Sequence, residues 1–272
     1  MKNRSSGRGS RKAGSGARLG QHFLTGTWAA HRLTESVEVR EGETILEIGP
    51  GKGALTRELL STGHPVLAIE KDEALAEQLH STFAQEVTSG ALRVVSADIR
   101  DVTPEKLHLG RYVVAANIPY YITGEIIRQF LSTSIQPRAM ALLVQKEVAE
   151  RILARDHKES ILSLSVKAYG VPKIVAKVSR GNFSPPPSVD SAILLIDDIS
   201  KNYFTDVSEA DFFAVVRAGF SSKRKFLLSN LAGQFEKARV EQAFDACGLS
   251  RKVRAEDVTL LQWKILTSRV TE

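Results

Sequence analysis

Four short apolar runs in the first half of the chain each end on a polar residue, and this repetition constrains the fold more than any other feature. Thr44-Ile-Leu-Glu-Ile48 runs into the turn Gly49-Pro-Gly51-Lys-Gly53, and Val66-Leu-Ala-Ile69 ends at Glu70. Leu92-Arg-Val-Val-Ser96 ends near Asp98, and Tyr112-Val-Val-Ala-Ala116 ends at Asn117. Runs of this length and character read as strands buried on both faces of a parallel sheet. After Gly53 the apolar residues Leu55, Leu59 and Leu60 take helical spacing, so the first unit is strand, glycine turn, helix. Open α/β sheets bind ligands beyond the carboxyl ends of their strands. The pattern therefore predicts that Gly49, Glu70, Asp98 and Asn117 meet at one sheet edge.

The residue types at that edge suit a nucleoside cofactor. Glycine lets backbone approach a ligand closely. Gly-Pro-Gly-Lys-Gly departs from the GxGxxG spacing that cradles a pyrophosphate, with proline in the first gap, which favours a cofactor without phosphates. An acidic side chain at Glu70 can accept from both hydroxyls of a ribose. The Asp98 carboxylate can accept from an adenine amine.

Asn117-Ile118-Pro119-Tyr120 adds the chemistry. An exocyclic amine on a purine is a poor nucleophile because its lone pair is delocalised into the ring. A site that uses it must accept both N–H groups and let the nitrogen pyramidalise toward an electrophile. Asn117 offers a side-chain carbonyl and Ile118 a main-chain one. Pro119 fixes its own φ and biases Ile118 away from helix, while Tyr120 offers a flat face for a base. The same tetrapeptide also suits an ordinary strand-end turn; its place after Glu70 and Asp98 favours the chemical reading.

Together with Leu19-Gly-Gln-His-Phe-Leu24, Glu47-Ile-Gly-Pro-Gly51, Gln145-Lys-Glu-Val148 and Phe183-Ser-Pro-Pro-Pro-Ser-Val-Asp-Ser191, these residues resemble the ribosomal RNA adenine N6,N6-dimethyltransferases, KsgA/RsmA enzymes and Erm resistance methylases among them. The resemblance runs from about Arg18 to the C-terminus. It implies an α/β fold, the Rossmann-like seven-stranded S-adenosylmethionine-dependent methyltransferase fold, with a small C-terminal all-helical domain. It also implies S-adenosyl-L-methionine as donor and dimethyladenosine in rRNA as product. By resemblance, His22 and Leu24 line the methionine end of the cofactor, Gly49 and Gly51 its carboxylate end, Glu70 the ribose and Asp98 the adenine, with Asn117 touching cofactor and target. His22 stands where the family usually has Asn; an imidazole still donates to a carboxylate, and the other reading has His22 capping the first helix. Phe183 is expected to close the second face of the flipped adenine, sandwiching it with Tyr120; its other reading is packing under the proline turn. Extruding a base costs a few kcal/mol, and stacking returns about 1 to 3 kcal/mol per base. No general base is required, since the amine becomes acidic only once methylated.

At 272 residues and 43% hydrophobic content, the chain can bury one large core and a small appended domain. Its longest apolar runs, such as Ala192-Ile-Leu-Leu-Ile196, are too short to span a bilayer. The single Cys247 excludes an internal disulfide and any cysteine-rich zinc site, and the scattered histidines lack ligand spacing, so no metal is expected. A cytoplasmic monomer is the expectation.

The basic character is local. Residues 1–18 hold Lys2, Arg4, Arg8, Arg11, Lys12 and Arg18 and no acid; these six of the 37 basic residues equal the net charge of +6, and the other 31 match the 31 acidic residues. Rich in Gly and Ser, residues 1–17 are expected to form a disordered basic arm suited to RNA phosphates, or else a solubilising tail. Its glycines and missing apolar face argue against a mitochondrial presequence. The catalytic domain is assigned to residues 18–199 and a helical RNA-recognition domain to 200–272. In the latter, helices are predicted from Ser208 through Phe220, over Phe226 to Leu231, over Lys237 to Cys247 with Gly248 as stop, and from about Glu256 through Ile265. Lys223-Arg224-Lys225 and Arg251-Lys252, with Arg254, are candidate RNA-backbone contacts or solvated faces.

The leading expectation is dimethylation of two adjacent adenosines in a hairpin loop near the 3′ end of small-subunit (16S) rRNA, within a small-subunit precursor. Ala218-Gly-Phe-Ser-Ser-Lys-Arg-Lys225 looks more like the KsgA group than the Erm group. The alternatives are an Erm-type 23S rRNA methylase conferring antibiotic resistance, and an RNA-binding assembly factor that has lost catalysis. The intact Glu70, Asp98 and Asn117-to-Tyr120 set speaks against the last, because a pure binder needs no cofactor site.

Overall fold

A computed structural model of the chain describes residues 22–271. In chain order the elements are β1 (Phe23–Leu24), α1 (Thr27–Ser36), β2 (Thr44–Ile48), α2 (Ala54–Leu60), β3 (Val66–Glu70), α3 (Glu73–Thr82), α4 (Ala84–Ser89), β4 (Leu92–Ser96) and β5 (Tyr112–Asn117). There follow α5 (Thr123–Ser132), β6 (Met140–Gln145), α6 (Lys146–Leu153), α7 (Ile161–Tyr169), β7 (Val171–Val178), β8 (Phe183–Ser184) and β9 (Ser191–Asp197). The last four are α8 (Glu209–Gly219), α9 (Leu227–Leu231), α10 (Lys237–Ala246) and α11 (Leu260–Thr271).

Seven strands form one sheet in the order β4-β3-β2-β5-β6-β9-β7, with β9 antiparallel to both of its neighbours and the pairs from β4 through β6 parallel. Strand alternation divides the core. Leu46, Ile48, Leu67, Ile69, Val114 and Ala116 face the layer that holds Ile126, Ile127 and Phe130 of α5 and Ile152 of α6. Ile45, Val66, Ala68, Val113 and Ala115 face Leu33 of α1, Leu55 and Leu59 of α2 and Phe83. Burial on both faces explains why these strands are continuously apolar. Their carboxyl ends align because the register pairs Ile48 with Ile69 and Ala116, and Glu70 with Ser96.

A third apolar cluster gathers α8 to α11 around Phe212, Phe244 and Trp263, and it includes Leu164 and Ala168 of α7. Val166 and Tyr169 of the same helix pack into the sheet core instead. The Tyr169 hydroxyl donates to Glu209 Oε1 at 2.6 Å. Helix α7 therefore packs into both cores. Among the described residues no helix is long and apolar enough to cross a membrane.

Candidate active site

The β2–α2 turn is built for close approach. Gly49, Gly51 and Gly53 have φ of +69°, +57° and +82°, a region that side chains with a Cβ rarely adopt. A Cβ at Gly51 would stand 2.8 Å from the Phe23 ring, and one at Gly53 2.5 Å from that of Phe83. The turn is held from the next strand: Glu70 Oε2 accepts from the Gly51 N–H at 3.0 Å, and Oε1 from the Asp72 N–H at 2.9 Å. Glu70 is thus buried and fixed by backbone donors, with lone pairs left for hydroxyl groups.

Asp98 begins a short helical turn and accepts the Arg100 N–H at 3.1 Å. Its carboxylate also takes the Arg100 guanidinium at 2.6 Å and Lys71 Nζ at 2.8 Å. The Arg100 hydrogen bond, outweighing partial burial and assisted by Lys71, holds the Asp98 carboxyl well below the usual carboxylate range. Asp98 is anionic at any working pH, an acceptor only.

Asn117 ends β5. Its Nδ2 donates to the His22 carbonyl at 3.0 Å. Since a carbonyl can only accept, this bond fixes the amide orientation and keeps Oδ1 as an acceptor. Ile118 is buried, and Pro119 at φ −56°, ψ 129° leads into the turn Tyr120–Ile122. The Tyr120 hydroxyl is 2.7 Å from Ser191 Oγ, which fixes the ring from β9, and burial pushes its phenol up despite that bond. The His22 ring lies 5.8 Å from that of Tyr120, tilted by 32°.

One cleft joins these groups. Its volume is about 860 Å³ with the open mouth included, and its wall carries His22, Gly49, Gly51, Glu70, Asp98 and the run Asn117 to Tyr120. The glycine turn that admits no Cβ, the backbone-held Glu70 and the acceptor-only Asp98 form a donor and acceptor set that fits S-adenosylmethionine.

Two expected residues lie elsewhere. Leu24 is buried and borders a smaller adjoining cavity with Gly49, Lys52 and Asn117, not the main cleft. Phe183 is 4% exposed, packs in the core layer of Leu24 and Val178 and is not on the wall of the main cleft. The cause is local pairing, since β8 runs antiparallel to β1 with Phe183 opposite Leu24. His22 does not cap α1, whose cap is Gly26; its Nδ1 lies 2.8 Å from the Pro185 carbonyl. Lys71, Arg100, Tyr121 and Ser191 were not anticipated from sequence. Lys71 and Tyr121 carried a signal by following Glu70 and Tyr120, and Ser191 by closing the Phe183–Ser191 segment.

Lys223, Arg224 and Lys225 are exposed on the loop from α8 to α9. Asn230 ties the start of that loop, donating to the Gly219 and Ser222 carbonyls at 2.6 and 3.0 Å. Arg251 is partly committed, its guanidinium donating to Asp245 Oδ1 at 2.8 Å and to the Glu241 carbonyl at 3.0 Å, while Lys252 is exposed. The basic arm, with Arg8, Arg11, Lys12 and Arg18, lies outside the described residues. Among the described residues no three His, Cys, Asp or Glu side chains gather to hold a metal.

The sequence profile of the ribosomal RNA adenine dimethylases matches residues 15–271. A ribosomal RNA small subunit methyltransferase A of Dehalococcoides mccartyi is 39% identical over 253 residues, which is 91% of this chain and 86% of that protein. One from Bacillus licheniformis is 33% identical, covering 93% and 90% of the two chains. Among solved structures, the 23S rRNA methyltransferase ErmE superposes with a TM-score of 0.75 at 26% identity, over 92% of this chain and all of that one. A Plasmodium falciparum dimethyladenosine transferase reaches 0.77 at 23% identity, over 90% and 96%, and shares the fold.

Proposed function

Because this chain belongs to the ribosomal RNA adenine dimethylase family, we propose that it dimethylates N6 of two adjacent adenosines in a hairpin loop near the 3′ end of small-subunit rRNA, acting as a monomer on a small-subunit precursor in the cytoplasm. The observation that carries the chemistry is the Asn117 amide, turned by the His22 carbonyl so that Oδ1 remains to accept on a cleft shared with Glu70 and Asp98. S-adenosylmethionine, when bound, supplies an electrophilic methyl group. Glu70 holds the ribose, Asp98 the adenine, and the Gly49-to-Gly53 turn leaves room for the amino-acid end, with His22 nearby.

The residues of this chain then prepare the amine. Asn117 Oδ1 and the Ile118 carbonyl accept its two N–H groups, which draws the nitrogen lone pair out of conjugation. Tyr120 presents a ring that Ser191 keeps from rotating, against which the adenine stacks. No side chain needs to take a proton beforehand, because the nitrogen becomes acidic once it carries the methyl group; water suffices. Phe183, buried here, contributes by packing β8 against β1 and so by positioning His22 and Phe23.

The choice of RNA rests on the curated relatives, which are small-subunit enzymes at up to 39% identity, against 26% for ErmE. The likeness to ErmE supports a second reading, transfer to 23S rRNA. Labelled S-adenosylmethionine offered with unmethylated small-subunit particles and, separately, with large-subunit RNA tests the two. Dimethyladenosine at paired positions of the small-subunit hairpin is expected; label confined to large-subunit RNA would transfer the protein to the resistance group.

A further inference from the structure

Tyr120 and Tyr121 adjoin in one short turn and line one cleft, but their situations differ. Tyr120 is half-buried and fixed through its hydroxyl to Ser191. Tyr121 is 65% exposed, the second largest exposure among the described large apolar side chains, and its hydroxyl lies within electrostatic reach of the Arg100 guanidinium. Arg100 and Lys71 sit on the same cleft wall, both on Asp98. Arg100 is consumed by a bidentate pair with Asp98 and also feels Glu125. Lys71, half exposed, gives one hydrogen to Asp98 and keeps two donors.

A base extruded into a cleft remains joined through phosphodiesters to both neighbours. Whenever the target adenine is inside, a flanking nucleotide stands at the mouth. An exposed flat ring on a cleft wall that also carries a half-exposed ammonium suits such a nucleotide, since a base stacks on the ring and its phosphate can pair with the cation. The geometry points to Tyr121 as the stacking platform for the nucleotide next to the target adenosine, with Lys71 as its phosphate contact. This role rests on the proposed reaction for its RNA. Of the two neighbours of the first target adenosine, the one assigned to Tyr121 is the second target adenosine.

The test uses the full-length protein and small-subunit RNA carrying 2-aminopurine at the second adenosine, whose fluorescence falls when it stacks. Wild type quenches the probe on binding. Tyr121→Ala loses the quench and weakens RNA binding about tenfold, the range expected for one base–aromatic stack, with cofactor affinity unchanged. Tyr121→Phe keeps both quench and affinity. The platform is overturned if Tyr121→Ala quenches and binds as wild type does, or if Tyr121→Phe fails as badly as Tyr121→Ala, which would mark a hydroxyl contact instead. Methyl transfer by wild type to the same RNA separates the two claims. Tyr121-dependent quenching without transfer would sink the reaction and keep the platform, whereas transfer with Tyr121-independent quenching would do the reverse.

Discussion

Both carboxylate oxygens of Glu47 are buried without a well-formed hydrogen bond, in a residue 1% exposed, and the Thr56 hydroxyl is likewise unpartnered. Burial pushes the Glu47 carboxyl up to about 8, with the Thr56 hydroxyl opposing and the Glu70 charge adding to the rise. A carboxyl whose folded value exceeds its ordinary 4.5 holds its proton more tightly in the native chain. Its contribution to stability is then complete below about pH 4.5 and is lost as pH rises through 8. Glu47→Gln should remove that component: in thermal unfolding at a series of pH values, the variant gains on wild type steadily from pH 5 to pH 8, and parallel curves would contradict a buried neutral Glu47. Ser191→Ala tests the anchor of Tyr120. It should lower kcat several-fold in steady-state transfer while cofactor affinity holds. At this scale Glu70, Asp98 and Asn117 were legible because a polar residue ending an apolar strand has few reasons to be there. The burial of Phe183 was not legible, because its side chain is placed by pairing with β1, a contact between segments far apart in sequence that no local pattern reports.

The glycine turn between β2 and α2 is the element on which cofactor binding depends. Gly51→Ala forces a Cβ into the Phe23 ring at a φ of +57°. The left-handed strain alone costs roughly 1–2 kcal/mol, and the displaced ring lies on the cleft wall. Calorimetric titration should show the Kd for S-adenosylmethionine raised at least about tenfold, with the fold retained by circular dichroism; unchanged affinity would detach this turn from the cofactor. Elements marked by a continuous apolar run or by helical spacing were placed well from sequence, as β2 to β5 and α8 show. The last helix was begun too early, at Glu256 instead of Leu260, because its true start is Thr259: the Thr259 N–H donates to Gln262 Oε1 at 3.1 Å and the Gln262 N–H to Thr259 Oγ1 at 3.3 Å. That reciprocal cap is written in Thr259-x-x-Gln262 and was readable. The strand β7 was harder, since Pro172 argues against a strand except at a sheet edge, and β7 is an edge.

Across the whole molecule, the sheet brings residues from four successive units to one rim, and the helical cluster is joined to the sheet layers through α7, through Tyr169 on Glu209, and through Lys201, which pairs with Glu209 at 3.0 Å and donates to the Ser132 carbonyl of α5 at 3.2 Å. We propose that the RNA backbone meets the exposed Lys223–Lys225 loop and the basic arm, which lies outside the described residues. Deleting residues 1–17 removes five cations and should flatten the salt dependence of RNA binding with little change in cofactor affinity; an unchanged slope would make the arm a solubilising tail. The central claim is that this rim is a methyl-transfer site in which Asn117 accepts from the target amine. Single-turnover transfer by Asn117→Ala, with RNA and S-adenosylmethionine both saturating, tests it most directly. The account predicts a rate at least about a hundredfold below wild type, the scale of one transition-state hydrogen-bond acceptor, with RNA affinity preserved. A rate within a few-fold of wild type would contradict it.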